Sequence, residues 1–133
     1  MEENQELMFK LSMFEQQIQQ LQQQLQSVEQ GIVELSSLDN SLNDLIGSHG
    51  KEILTPVGRG IFAKAKLISE DLIVDIGEKN FVSKDIPGTK KILQEQIQKL
   101  KDVKIELNKN LEKVNLDLSK TMETEDKSSK DQK

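Results

Sequence analysis

The sequence predicts a mainly α protein with a small β insert: an antiparallel two-helix coiled coil with two β-hairpins at its base. Three observations carry this. Apolar residues recur at alternating steps of four and three near both ends of the chain, which is the spacing of a coiled-coil seam. Between them, Ile53 to Lys84 holds four short runs of β-branched and apolar residues separated by turn residues, the signature of hairpins. The helical parts also carry opposite charge. Through Ile46 there are eight acids and one Lys, a net of −7, whereas Pro87 to Met122 has eight Lys and five acids, a net of +3. Opposite charge favours the two as partners.

The first helix is expected within residues 1–47. Its seam reads Leu7, Leu11, Phe14, Ile18, Leu21, Leu25, Val28, Ile32 and Leu35. Asp39 occupies the next seam position, so the apolar series is read through Leu38, Leu42 and Leu45, a stammer that would overwind the supercoil locally. Gly31 sits just before it, at a cost of roughly 1 kcal/mol relative to Ala in a helix interior. From Gln16 to Gln26 eight of eleven residues are Gln. Because Ile18, Leu21 and Leu25 keep the heptad, the tract is a solvated helix face rather than a low-complexity segment. Gly47-Ser48-His49-Gly50 ends the helix.

The insert, 48–85, begins with a run from Ile53 to Val57 and turns at Gly58-Arg59-Gly60. Runs from Ile61 to Ile68 and Leu72 to Ile76 follow, then a turn at Gly77-Glu78-Lys79-Asn80 and a last run from Phe81 to Lys84. Alternation places Ile61, Ala63, Ala65 and Leu67 on one face, and Leu72, Val74 and Ile76 on one face of the next strand. Two hairpins cannot bury such faces alone, and Phe62 and Phe81 are the insert's only aromatics. The apolar face is therefore expected to meet the same insert from other subunits. The residues expected to carry assembly are Val57, Ile61, Phe62, Ala63, Ala65, Leu67, Leu72, Val74, Ile76 and Phe81.

Asp85-Ile86-Pro87 reads as a helix start, with Asp as N-cap and Pro in the first turn. The second helix is expected over 86–122, with a seam of Leu93, Ile97, Leu100, Lys104, Leu107, Leu111, Val114 and Leu118. Lys104 is its single polar interruption, either fixing register or reaching out to water along its stem. At 1.5 Å per residue the helices would be roughly 60 Å and 50 Å long, a rod on a β base with both termini at its far end. Residues 123–133, ETEDKSSKDQK, are polar enough to be expected disordered.

Composition excludes several classes. The 133 residues include no Trp, Tyr or Cys and four Phe, with 31% charged and 35% hydrophobic residues, too lean for a deep globular core. Without Cys there are no disulfides or zinc thiolates, which fits a reducing compartment, and a cytoplasmic location is expected. The start MEENQELMF has neither the basic nor the apolar part of a signal peptide, and no apolar run reaches membrane-spanning length. A net charge of −5 with Arg59 as the one arginine argues against nucleic acid. Gly47 to Glu52 fails the phosphate-loop spacing at Leu45 and at Glu52. His49, the sole histidine, has no second ligand or triad partner. No catalytic, metal or cofactor site is expected.

A helix, two hairpins and a second helix in a cysteine-free chain resembles the α class of prefoldin subunits. The residues carrying the resemblance are GKEILTPVGRGIFAKAKL (Gly50 to Leu67), LIVDIG (Leu72 to Gly77) and NFVSKD (Asn80 to Asp85). Two departures stand out: Phe81 is followed by Val82-Ser83-Lys84, and the second helix opens with Pro87-Gly88. The resemblance implies a heterohexamer of two α-class and four β-class subunits. Hairpins would form its central β-barrels and coiled coils would hang from them. It further implies an ATP-independent chaperone that holds non-native proteins and passes them to a group II chaperonin.

The helix ends add an independent argument. Met8, Phe9 and Met13 lie off the seam defined by Leu7, Leu11 and Phe14, and Met122 closes the other helix. Counting Met1, three of four Met and two of four Phe fall within the first fourteen residues. Flexible Met surfaces suit varied partners. Client contact is therefore expected at Leu7, Met8, Phe9, Leu11, Met13, Phe14, Leu118 and Met122. The alternative is a structural coiled-coil adaptor whose tips bind one folded partner.

Overall fold

The computed structural model describes the backbone of residues 2–131 and the side chains of residues 4–123. Helix α1 spans Glu2–Leu42 and closes with one 3-10 turn, Asn43–Leu45. Strands β1 (Glu52–Gly58), β2 (Ile61–Lys66), β3 (Leu72–Asp75) and β4 (Phe81–Lys84) follow, and helix α2 spans Ile86–Asp131. The described chain is thus mainly helical, with two antiparallel hairpins, β1–β2 and β3–β4, that are separate two-stranded sheets. It divides into two compact units, residues 1–32 with 99–133, and residues 33–98.

In the first unit the seam positions from Leu7 to Ile32 on α1 and from Leu100 to Leu118 on α2 are half-buried, and the residues between them, Gly31 and Asp117 apart, face water. Burial stops at half because two helices cover only one stripe of each other. The helices run antiparallel here: Gly31 meets Leu100, and Glu29 meets Lys104. Gly31 now has a reason. A Cβ there would lie 3.2 Å from Leu100 Cδ1, so the missing side chain admits the leucine. Lys104 reaches Glu29 at 3.4 Å with both charged ends in reach of water, a surface pair that contributes little. Of the two roles open to Lys104, this is the stem reaching outward.

The second unit holds the core. Leu42, Ile86 and Leu93 are buried together, with Leu35, Leu45 and Leu72 packed against them; Ile97 and Thr89 are buried as well. The expected stammer is absent. Leu38 is 47% exposed, whereas Asp39 is half-buried and the steps of four and three run unbroken through Leu35, Asp39 and Leu42. The reason is Lys90, whose Nζ lies 3.2 Å from Asp39 Oδ1, the two side chains being 19% and 17% exposed. The ammonium donates its hydrogen bond to the Asp39 carbonyl oxygen at 3.0 Å. The carboxylate contact lacks hydrogen-bond geometry and leaves Oδ1 without such a bond, so it is an ion pair only. The Asp39 carbonyl is among the last four of α1, which have few partners within the helix. The last turn of α1 has no basic residue of its own, and Lys90 supplies the cation favoured at that end.

Helix α2 starts as expected. Asp85 Oδ1 accepts from the Gly88 amide at 2.8 Å, and the Asp85 carbonyl accepts from the Thr89 amide and hydroxyl at 3.0 and 2.9 Å. A Cβ on Gly88 would lie 2.7 Å from that carboxylate oxygen, so Pro87-Gly88 serves the cap. At its other end α2 continues through Asp131 rather than leaving the helix at Met122. ETEDKSSKD contains neither Gly nor Pro, so nothing in it forces a break. The expected disordered tail falls on this stretch. The side chains of 124–131, residues 132–133 and Met1 lie outside the described residues.

The hairpins are closed by turns with positive φ. Arg59 and Gly60 (φ 48° and 78°) connect β1 to β2; Glu78 and Lys79 (φ 50° and 62°) connect β3 to β4. Left-handed residues in both central positions match the twist of the flanking strands. The linkers at the open end of the first hairpin are tied together. Gly50 N donates to the Leu67 carbonyl, Leu67 N to the Lys51 carbonyl, and Gly47 N to Glu70 Oε1. His49 Nε2 sits 2.7 Å from the Ile68 carbonyl, which gives the single histidine a place in the loop.

Candidate functional site

The eight residues expected at the helix ends fall into two sets. Leu7, Leu11, Phe14 and Leu118 are half-buried in the seam. Met8, Phe9, Met13 and Met122 are 70%, 66%, 46% and 53% exposed. Phe9 and Met13, four residues apart, are neighbours on one helical face. Phe9 also lines a shallow groove with Gln5, Glu6 and Lys10. The Gly31–Leu100 register, continued residue for residue, brings Phe14 to about the level of Leu118 and Phe9 to about that of Met122. This end of the first unit therefore presents unbranched or planar apolar side chains that the coiled coil does not use. The same off-seam criterion applied to α2 picks out Val103, Ile105 and Leu116, all exposed, which lie short of the helix end.

The hairpins form the second apolar surface. Register pairs Ile53 with Ala65 and Thr55 with Ala63, and Gly58 with Ile61 after an irregularity at Val57. Paired residues share a face, so Ile53, Thr55, Ala63 and Ala65 make one uncharged face, continued at the turn by Ile61. Ile53, Ala65 and, beyond the strand, Leu67 are half-buried; Val57, Ile61 and Ala63 are exposed. Phe62 lies on the opposite face with Leu54, Lys64 and Lys66, because the pleat alternates sides. In the second hairpin Leu72 packs on the chain's own core, so the strand face expected to serve assembly is partly used within the chain. Val74 is half-buried and Ile76 exposed. On the opposite face Ile73 and Phe81 are exposed beside Asp75 and Ser83.

Nothing among the described residues supplies a metal site: no three His, Cys, Asp or Glu side chains converge. No described helix is long and apolar enough to cross a membrane. The chemistry on offer is apolar contact, at the helix ends and on the hairpins.

Comparison with known proteins shows the family. The prefoldin subunit family model matches residues 14–131. The prefoldin subunit alpha of Methanobrevibacter smithii is 36% identical over 98 residues, covering 73% of this chain and 67% of that protein. That of Methanococcus maripaludis is 31% identical over 104 residues, covering 77% and 71%. A chain of the filamentous PFD from Methanocaldococcus jannaschii, solved by cryo-EM, superposes with a TM-score of 0.77. It is 18% identical, with 85% of this chain and 95% of that chain covered, a likeness of fold. The chain belongs to the prefoldin subunit family of chaperones, in its α class.

Proposed function

We propose that this chain is the α-class subunit of an ATP-independent holdase. It grips non-native proteins through its helix ends and passes them to a group II chaperonin. The observation that carries the reading is the exposure of Met8, Phe9, Met13 and Met122 beside a seam that is complete without them. Methionine adapts its three rotatable bonds to irregular partners, so these side chains suit clients that share apolar character rather than a shape. The sequence has no phosphate-binding loop, which fits action without nucleotide.

Assembly with β-class subunits as two α and four β is proposed on the hairpin surfaces. Isolated two-stranded sheets with uncovered apolar faces gain by joining larger sheets. Ile61 and Ala63, with Val57 beside them, would be covered there, and Ile73 and Phe81 offer a second contact. Cytoplasmic location is part of the same proposal.

The test is aggregation suppression. The purified complex, without nucleotide, is added to several unrelated proteins as they are diluted from denaturant, and light scattering is followed. A holdase lowers scattering for all of them. A coiled-coil adaptor with one folded partner leaves it unchanged.

A further inference from the structure

We propose that Asp39 and Lys90 form a register lock, a polar clasp that selects one alignment of the two helices from several the apolar seams would accept. A seam of unbroken 4-3 spacing is degenerate, because sliding one helix by a heptad brings apolar positions against apolar positions again. The seams of α1 and α2 have this regularity, and a heptad slide moves them by about 10 Å. Positions that differ from the others tell one alignment from the next: Gly31, which admits Leu100, is one, and charged positions are the costlier to misplace.

Lys104–Glu29 and Lys90–Asp39 are polar contacts between the helices. The Lys104–Glu29 pair, with side chains 41% and 55% exposed, discriminates weakly, since either charge returns to water at little cost. Asp39 and Lys90 lie much deeper, and both occupy seam positions, Lys90 standing three residues before Leu93. The heptad slides have definite consequences. One brings Asp39 level with Ile97, and the other brings Lys90 level with Ile32. Either leaves a charged group against a hydrocarbon side chain without its partner, which is the strongly penalised arrangement. The slide also strips Lys90 from the Asp39 carbonyl at the end of α1. The pair thus acts less through net stabilisation than through the penalty it places on alternatives, as polar seam residues do in coiled coils. This goes beyond the proposed chaperone role and does not depend on it.

The cysteine-free chain makes the test direct. Gln17→Cys and Lys101→Cys, both exposed positions, take nitroxide labels, and pulsed electron resonance reads their separation in the full chain diluted with unlabelled chain. With Asp39 and Lys90 intact the distribution has one peak. In Asp39→Leu/Lys90→Leu, where no charge is orphaned and both clasp positions are apolar, a second peak displaced by several ångströms gains at least about tenfold in weight, since the penalty on the slipped form is gone. Asp39→Asn, which keeps polarity and size, broadens the distribution in the same direction to a smaller extent. Circular dichroism confirms that each variant is helical. A single unshifted peak in the double-leucine variant overturns the proposal and assigns register to the Leu42–Ile86–Leu93 core.

Discussion

Replacing Met8, Phe9 and Met13 together by Ser separates holding from folding. Complete burial of a Met or Phe side chain is worth about 1.5–3 kcal/mol. These three start 70%, 66% and 46% exposed, so a client covering them gains roughly 3–5 kcal/mol per chain on that scale. Ordering the side chains takes back about 0.5–1.5 kcal/mol each. The remainder, about 1–2 kcal/mol, corresponds to roughly a tenfold loss of affinity per chain. Several chains gripping one client multiply that loss. The coiled coil keeps Leu7, Leu11 and Phe14, and Ser costs only a few tenths of a kcal/mol per position in helix propensity. The triple variant should therefore assemble and show the parental helical signal, while much more of it is needed to suppress client scattering. Equal suppression at equal concentration would leave Met8, Phe9 and Met13 without a role in holding.

Three further outcomes follow from the structure. Ala63 is exposed in the single chain beside Thr55 on an uncharged face, so Ala63→Glu should leave the isolated subunit intact. Covering that carboxylate in an assembly costs several kcal/mol, and size-exclusion chromatography should show the complex lost with helix content kept. Glu78 and Lys79 hold positive φ without being Gly or Asn, at about 1 kcal/mol each. Glu78→Asn/Lys79→Gly should raise thermal stability, by about 1–2 kcal/mol if the turn is unchanged. Asp85→Ala removes the acceptor for the Gly88 amide and should lower stability by about 1 kcal/mol in denaturant titration.

Much of the architecture is legible because it rests on periods. Leu7 to Leu35 and Leu93 to Leu118 repeat at the spacing of a seam, and the structure half-buries or buries those positions, Lys104 included. The turns are legible from Gly58, Gly60 and Gly77, and the α2 start from Asp85. The seam at Asp39 is not legible in the sequence, for a physical reason. An acidic residue in a seam looks like an interruption until its partner is known, and Lys90 is 51 residues away in the chain. Leu38, apolar and near the right spacing, then draws the series off course although it faces water. The second hairpin shows a related limit. Alternation told which residues share a face but not which face the chain's own core would take, and Leu72 went inward. The exposure of Met8, Phe9 and Met13 is legible because they fall off a pattern that their neighbours keep.

The most direct test of client holding at the helix ends is site-specific photo-cross-linking. A photoreactive amino acid is placed at Phe9 in one variant and at Gln22, on the exposed glutamine face, in another. Each complex is irradiated with a labelled client, either diluted from denaturant or already native. Holding at the helix ends gives strong capture of the non-native client at position 9, weak capture at 22, and none of the native form at either. Capture that is equal at the two positions, or that does not distinguish non-native from native client, would contradict it.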